Sequence, residues 1–241
     1  MSSSNVETPT WLSSCFTNHS TVMTIFSMSY FSALTTILSG LFLVSTSHAS
    51  MNGQLPNPAG TFRDTYYYSV LEHLYASEPK VVDLLDMNDR VVATVSEKFN
   101  AALSIEGTGK LMDGRVINFQ GRKNGTTRWQ PTIHPYGRGI GNCALVPFRT
   151  IAVDPTRIAL GSVIYIDETV GMKLPDGTIH DGIWRAEDIG SAIQHDRVDI
   201  FVGDGNQGSY LDAQGIGNLQ SLTYRILAAP TPNSCLTQEP Q

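Results

Sequence analysis

Apolar and polar positions change pattern three times along the chain. Val22 to Ser45 is an uncharged, largely apolar run. After it comes a polar stretch containing Pro and Gly, residues 50–62, which predicts a linker. From Thr65 onward the apolar runs are short and separated by Gly, Asp and Pro. Thr65–Val70 is aromatic and predicts a strand, and Val81–Asp86 predicts another that turns at Asn88-Asp89. In Val91–Ile105 the residues Val92, Val95, Phe99 and Leu103 share one stripe, which predicts a helix ended by Gly107. Further strands are expected at Arg115–Phe119, Thr150–Val153, Val163–Ile166, Gly182–Glu187, Val198–Val202 and Leu222–Leu227. Strands this short predict one mainly β domain over 63–228, a small barrel or sandwich with an N-terminal extension and one or two short helices. Residues 229–241 read as an irregular tail.

The first 49 residues are expected to be a separate object. Ser47-His48-Ala49 places small residues where a signal peptidase reads, so cleavage after Ala49 follows. The alternative is an uncleaved membrane tether, because the run is roughly 24 residues and a span needs about 20. No Lys or Arg precedes Arg63, so the basic start of an ordinary signal is missing. Both readings export the rest of the chain, to the periplasm, the outer membrane or the extracellular space. Of the three cysteines, Cys15 leaves with the signal. Cys143 and Cys235 are then a candidate disulfide tying the tail to the domain, or two free thiols.

Composition narrows the function. The 241 residues carry a net charge of −6, which argues against a nucleic-acid binder. After the expected cleavage site the four histidines, His73, His134, His180 and His195, are scattered, so neither a metal nor a cofactor is expected. Gly203, Gly205 and Gly208 match G-x-G-x-x-G, but Ser209–Gly215 predicts a poor helix, so a turn-rich loop is expected. Asp188-Ile189-Gly190 lacks the hydroxyl residue of an aspartic-protease motif.

Three acidic motifs stand at strand edges: Ile151-Ala152-Val153-Asp154-Pro155, Ala186-Glu187-Asp188-Ile189-Gly190, and Arg197-Val198-Asp199-Ile200-Phe201. Their order and spacing resemble the three-aspartate (3D) domain, related to the C-terminal barrel of the membrane-bound lytic murein transglycosylase A family. The resemblance is strong from Ile151 to Phe201 and weaker back to Thr65. It implies a six-stranded double-psi β-barrel. It also implies a glycan-cleaving enzyme acting on peptidoglycan or a related polysaccharide, with Asp199 as catalytic acid/base and Asp188 supporting it. Such an enzyme protonates the glycosidic oxygen, and the sugar's own C6 hydroxyl attacks C1 to give a 1,6-anhydro product. Asp154, before Pro155, reads as structural, and Gly190 as a close approach or sharp turn. The chain departs from the family at Gln194, where a basic residue is usual, and at His195, where Gly is usual. His195 is a candidate substrate donor. Between Gly107 and Arg138 aromatic and basic residues cluster, and Trp129, Tyr136, Arg138 and Trp184 are expected to contact the glycan. A monomer is expected. The competing functions are a non-catalytic, expansin-like wall-binding module and a β-glycan hydrolase.

Overall fold

The computed structural model describes residues 54–232 and 234–238, so the expected signal or tether lies outside the described residues. In chain order the elements are β1 (Gly60–Leu71), β2 (Lys80–Leu85), β3 (Val91–Ser96), α1 (Glu97–Glu106), β4 (Thr108–Lys110), β5 (Val116–Lys123) and β6 (Thr126–Thr132). They continue as β7 (Thr150–Ala152), β8 (Val163–Ile166), β9 (Ile183–Asp188), β10 (Arg197–Asp204), α2 (Gly208–Ala213) and β11 (Ser221–Ala228). Six strands run in the order β10-β7-β9-β8-β11-β1, and β10 pairs with β1 to close the ring. The β1–β10 and β7–β9 pairs are parallel, and the other pairs in the ring are antiparallel. This is the expected six-stranded double-psi barrel.

Alternation fills the barrel. Val198, Ile200 and Val202 of β10 point inward with Ile151, Ile164, Ile166, Trp184 and Leu222, all essentially excluded from solvent. Each large side chain buried this way contributes roughly 1.5–3 kcal/mol. The intervening positions of β10, Asp199 and Phe201, face outward. His180 is also buried, stacked on Trp184 at 4.5 Å. Its Nδ1 accepts from the Gly182 N–H at 2.8 Å, so Nε2 donates to the Phe148 carbonyl at 2.7 Å. That arrangement needs a neutral ring, and burial lowers its proton affinity.

Residues 72–149 leave the barrel between β1 and β7, and most of them build a second lobe. The far end of β1 pairs with β4, which continues into the β4-β5-β6 meander. Val70, Leu84, Val95, Phe99, Leu103, Ile117 and Trp129 form its separate core. The helix expected over Val91–Ile105 starts later. Val91–Ser96 is β3, paired with β2, because a β-branched run suits a pleated surface better than a helix. Ser96 then caps α1 by accepting from the Phe99 N–H. Strand β6 pairs with β5, the strand expected at Arg115–Phe119, and escapes sequence reading because it carries Pro131. An edge position tolerates that proline, and β6 is an edge strand. Among the described residues no helix is long and apolar enough to cross a membrane.

The G-x-G-x-x-G pattern has a local explanation. Gly203 and Gly205 take left-handed φ values of 94° and 70°. A Cβ on Gly208 would lie 1.9 Å from the Tyr66 ring. The segment predicted to be a poor helix does form one, the six-residue α2.

Candidate active site

The barrel register brings two of the three aspartates into one row on its outer face. Asp188 is level with Ala152, Ala152 with Asp199, and Asp199 with Thr65. Adjacent strands lie about 4.8 Å apart, so the backbones of the two aspartates are roughly 10 Å apart across the sheet. The residue between them, Ala152, is small and buried, packed with Tyr67, Leu145, Ile193 and Phe201.

The two carboxyls have different surroundings. Asp188 is held on both oxygens: Tyr67 Oη donates to Oδ2 at 2.8 Å and the Ile189 N–H donates to Oδ1 at 2.9 Å. Burial pushes it up to about 7 against these donors, and the neighbouring Asp199 charge pushes the same way. Asp199 has no hydrogen-bond partner on its buried Oδ1. Burial raises its proton affinity too, partly offset by Thr65 and Arg197. The Thr65 hydroxyl donates to the Val198 carbonyl and accepts from Arg197 Nε, each at 3.2 Å. A buried carboxyl with an unpartnered oxygen favours its neutral form and is equipped to donate a proton.

Asp154 is elsewhere in chemistry as well as in place. It accepts from the Thr156 N–H and hydroxyl and from the His195 N–H, and these donors lower it to about 2. It is an ionised latch between two loops. His195 is exposed, has a left-handed φ of 61°, and lines a separate recess of about 20 Å³. Gly190 lets Ile193 fold back, since a Cβ there would lie 2.8 Å from Ile193 Cγ1. Gln194, at the position of the family's basic residue, donates to the Ser191 carbonyl.

Of the four residues expected at glycan subsites, two are corrected. Trp129 is buried in the lobe core, with Phe119 edge-on, and Trp184 is buried in the barrel, stacked on His180 and donating to Thr169 Oγ1 at 2.9 Å. Neither has a free face for a sugar ring. Both lie on inward positions of their strands, where a large apolar group stabilises the core more than it serves the surface. Tyr136 is half-buried, edge-on to Phe201, with Lys110 Nζ 5.0 Å from its ring centre. Arg138 has its backbone fixed by Asn118, while its Nε and Nη1 are buried and without a partner.

Cys143 and Cys235 are bonded, with their Cα atoms 4.8 Å apart. The bond pins a strap that crosses Asp188. Within it the Ile140 N–H donates to the Glu187 carbonyl, and the Asn142 N–H donates to that of Cys235. Gly139 is necessary there, since its Cβ would lie 2.3 Å from the Glu187 oxygen. Cys143, Glu187 and Cys235 are the one cluster of metal-ligating types among the described residues, and the disulfide engages both thiols.

Sequence reading missed Tyr67, Ala152 and Glu106. Glu106, at the end of α1, accepts from the Tyr68 N–H at 3.1 Å and is pushed up to about 7, mainly by burial. It lines a cleft of about 330 Å³ together with Thr65, Tyr66, Tyr68 and Arg197. Tyr67 is recognisable only as one of three consecutive tyrosines, and Glu106 only as a helix-end residue.

The raised carboxyls set a pH dependence for stability. Asp64 is pushed up to about 6 by burial, beside Asp188 and Glu106 at about 7. Raised groups stabilise the fold fully below their unfolded values, near 4, and lose that contribution as pH rises through 6 to 7. Neutral His180 acts oppositely below about 6.5, but three groups outweigh one. The midpoint of thermal unfolding is therefore expected to fall from pH 5 to pH 8, as each group loses a stabilising contribution on the order of 1 kcal/mol. Asp188→Asn flattens the slope, and an equal slope in that variant would contradict the assignment.

Residues 149–214 match the 3D domain family. No curated protein matches the chain in sequence. Among solved structures, E. coli MltA with bound chitohexaose is similar at a TM-score of 0.50 and 14% identity, over 71% of this chain and 73% of that one. The membrane-bound lytic murein transglycosylase from Agrobacterium tumefaciens gives 0.46 at 15% identity, over 71% and 75%. The lytic transglycosylase LtgG of Burkholderia pseudomallei gives 0.39 at 16%, over 70% and 73%.

Proposed function

Because this chain carries a 3D domain over residues 149–214, we propose that it is an exported lytic transglycosylase-like enzyme that cleaves peptidoglycan. The observation that carries the reading is the row Asp188–Ala152–Asp199, in which one carboxyl is held by two donors and the other has a buried, unpartnered oxygen. Asp199 gives its proton to the glycosidic oxygen as the C1–O bond breaks. The sugar's C6 hydroxyl forms the new bond to C1, and Asp199 takes that hydroxyl's proton. No water is consumed, and the acid is regenerated. Asp188 and Tyr67 hold the opposite side of the trough and keep its charge low.

The free N–H groups of Arg138 are the candidate contact for a carboxylate on the glycan, with Tyr136 beside them. The solved MltA structure with chitohexaose supports a glycan chain as the ligand class. The disulfide is consistent with export to an oxidising compartment. The working form is a monomer, released by cleavage after Ala49 or tethered through the N-terminal segment.

Incubation with murein sacculi, followed by mass spectrometry of the soluble products, tests this reading. Anhydro-muropeptides are the expected result. Reducing ends carrying added water would replace it with a hydrolase. Tight binding with no products would replace it with a wall-binding module.

A further inference from the structure

The row of acids ends at Thr65 of β1, and the cleft of about 330 Å³ opens there. Thr65 is level with Asp199, so the backbones of the two lie one strand, about 4.8 Å, apart. The walls of the cleft carry both signs of charge. Arg197 donates Nε to Thr65 Oγ1 at 3.2 Å, and its two terminal nitrogens have no partner among the described residues. The neighbouring acid, Asp196, is taken up by Arg63 at 3.2 Å. Glu106 is held through Oε2 by the Tyr68 N–H at 3.1 Å, and its Oε1 has no partner among the described residues. Asp212, exposed on α2, has neither carboxylate oxygen hydrogen-bonded among the described residues. Resting on the reading of peptidoglycan as the substrate, we infer that this cleft binds the zwitterionic end of an amino acid on the peptide that branches from the glycan. Arg197 takes its carboxylate, and Asp212 with Glu106 takes its ammonium.

Charge complementarity selects that class of ligand. A neutral sugar would strip water from Arg197 and Asp212 without pairing either charge, which costs free energy. An anion such as phosphate pairs with Arg197 but meets two carboxyls. A polyamine pairs with the carboxyls and leaves Arg197 bare. An ammonium and a carboxylate on one carbon answer both walls through charge-assisted hydrogen bonds. The cleft has the size of a small-ligand site, with a few charged groups to fix orientation. Its position agrees as well. A cleft one strand from the acid holds a group attached close to the bond being cleaved, and a peptide branch on the sugar is such a group. The consequence is specificity: a strand bearing free peptide ends binds better than a bare one, with the same acid doing the cleavage.

Calorimetric titration of the full chain with meso-diaminopimelate, which carries an ammonium and a carboxylate at each end, tests the site. Saturable binding is expected. Pimelate and 1,5-diaminopentane, which carry one sign of charge each, are expected to bind at least about tenfold more weakly. Asp212→Asn and Glu106→Gln are each expected to weaken diaminopimelate binding by about tenfold. Asp212 is exposed and unpaired among the described residues, so its variant tests the site even where Glu106→Gln lowers stability. In cleavage, the parent protein is expected to prefer sacculi over the same strands stripped of their peptides, and Asp212→Asn to lose that preference. No binding, equal binding of pimelate or diaminopentane, or unaltered binding in Asp212→Asn overturns the proposal. Anhydro products released without preference for peptide-bearing strands also overturn it, while the transglycosylase reading stands. Diaminopimelate binding by a protein that releases no anhydro products supports the cleft and overturns that reading instead.

Discussion

Asp199→Asn is expected to abolish release of anhydro-muropeptides, by at least about a hundredfold, while leaving the fold intact or firmer. General acid–base catalysis by one positioned group contributes typically about 10²–10⁴-fold, and asparagine cannot give or take the proton. Stability should move the other way. Asp199 Oδ1 is buried without a hydrogen-bond partner, and burying an unpartnered carboxyl costs free energy that an amide avoids in part. A gain on the order of 1 kcal/mol in urea unfolding is expected alongside the loss of turnover. Residual activity near the parent's would remove Asp199 from the mechanism. A large loss of stability would show that the charge serves the fold. Asp188→Asn should cost less activity, because Tyr67 can still donate to the amide oxygen.

Cys235→Ser is expected to produce the largest change in stability. The Cys143–Cys235 bond closes a sequence separation of 92 residues, and a loop near that length constrains the unfolded chain by about 4 kcal/mol. The bond also fastens the strap that passes over Glu187 and Asp188. Activity should therefore fall with stability, and a reductant should reproduce both losses in the parent protein. The check is the urea midpoint of parent and variant, each with and without reductant. Identical midpoints under oxidising conditions would show that the bond does not constrain the chain.

Much of the barrel is legible in the residues. The inward positions of β7 to β11 are apolar in strict alternation, and the turns between them carry Gly, Asp and Pro, so the strand positions emerge within a residue or two. The link between the three acidic motifs was legible only through the family's order and spacing, because pairing partners are set by closure of the ring. Nothing local in Asp188 or Asp199 tells that Ala152 separates them. The second lobe was hidden for a different reason. Its helix shares a stripe with the preceding β3, and its edge strand contains Pro131. Trp129 and Trp184 show the limit of reading chemistry from residue type. An aromatic ring suits a sugar face and a core equally well, and only the strand phase decides between them.

Strand β1 gives that phase a broader consequence. Its even positions Phe62 and Tyr66 pack on the barrel core, and its odd positions Thr65 and Tyr67 face the acidic row. The strand is thus written in a reading frame of two, with structure in one letter and chemistry in the next. One inserted or deleted residue would exchange the two messages at once, putting rings where the acids need a partner and hydroxyls where the core needs rings. The site therefore cannot drift along β1 by small steps. Length is frozen there even where individual side chains remain free to change.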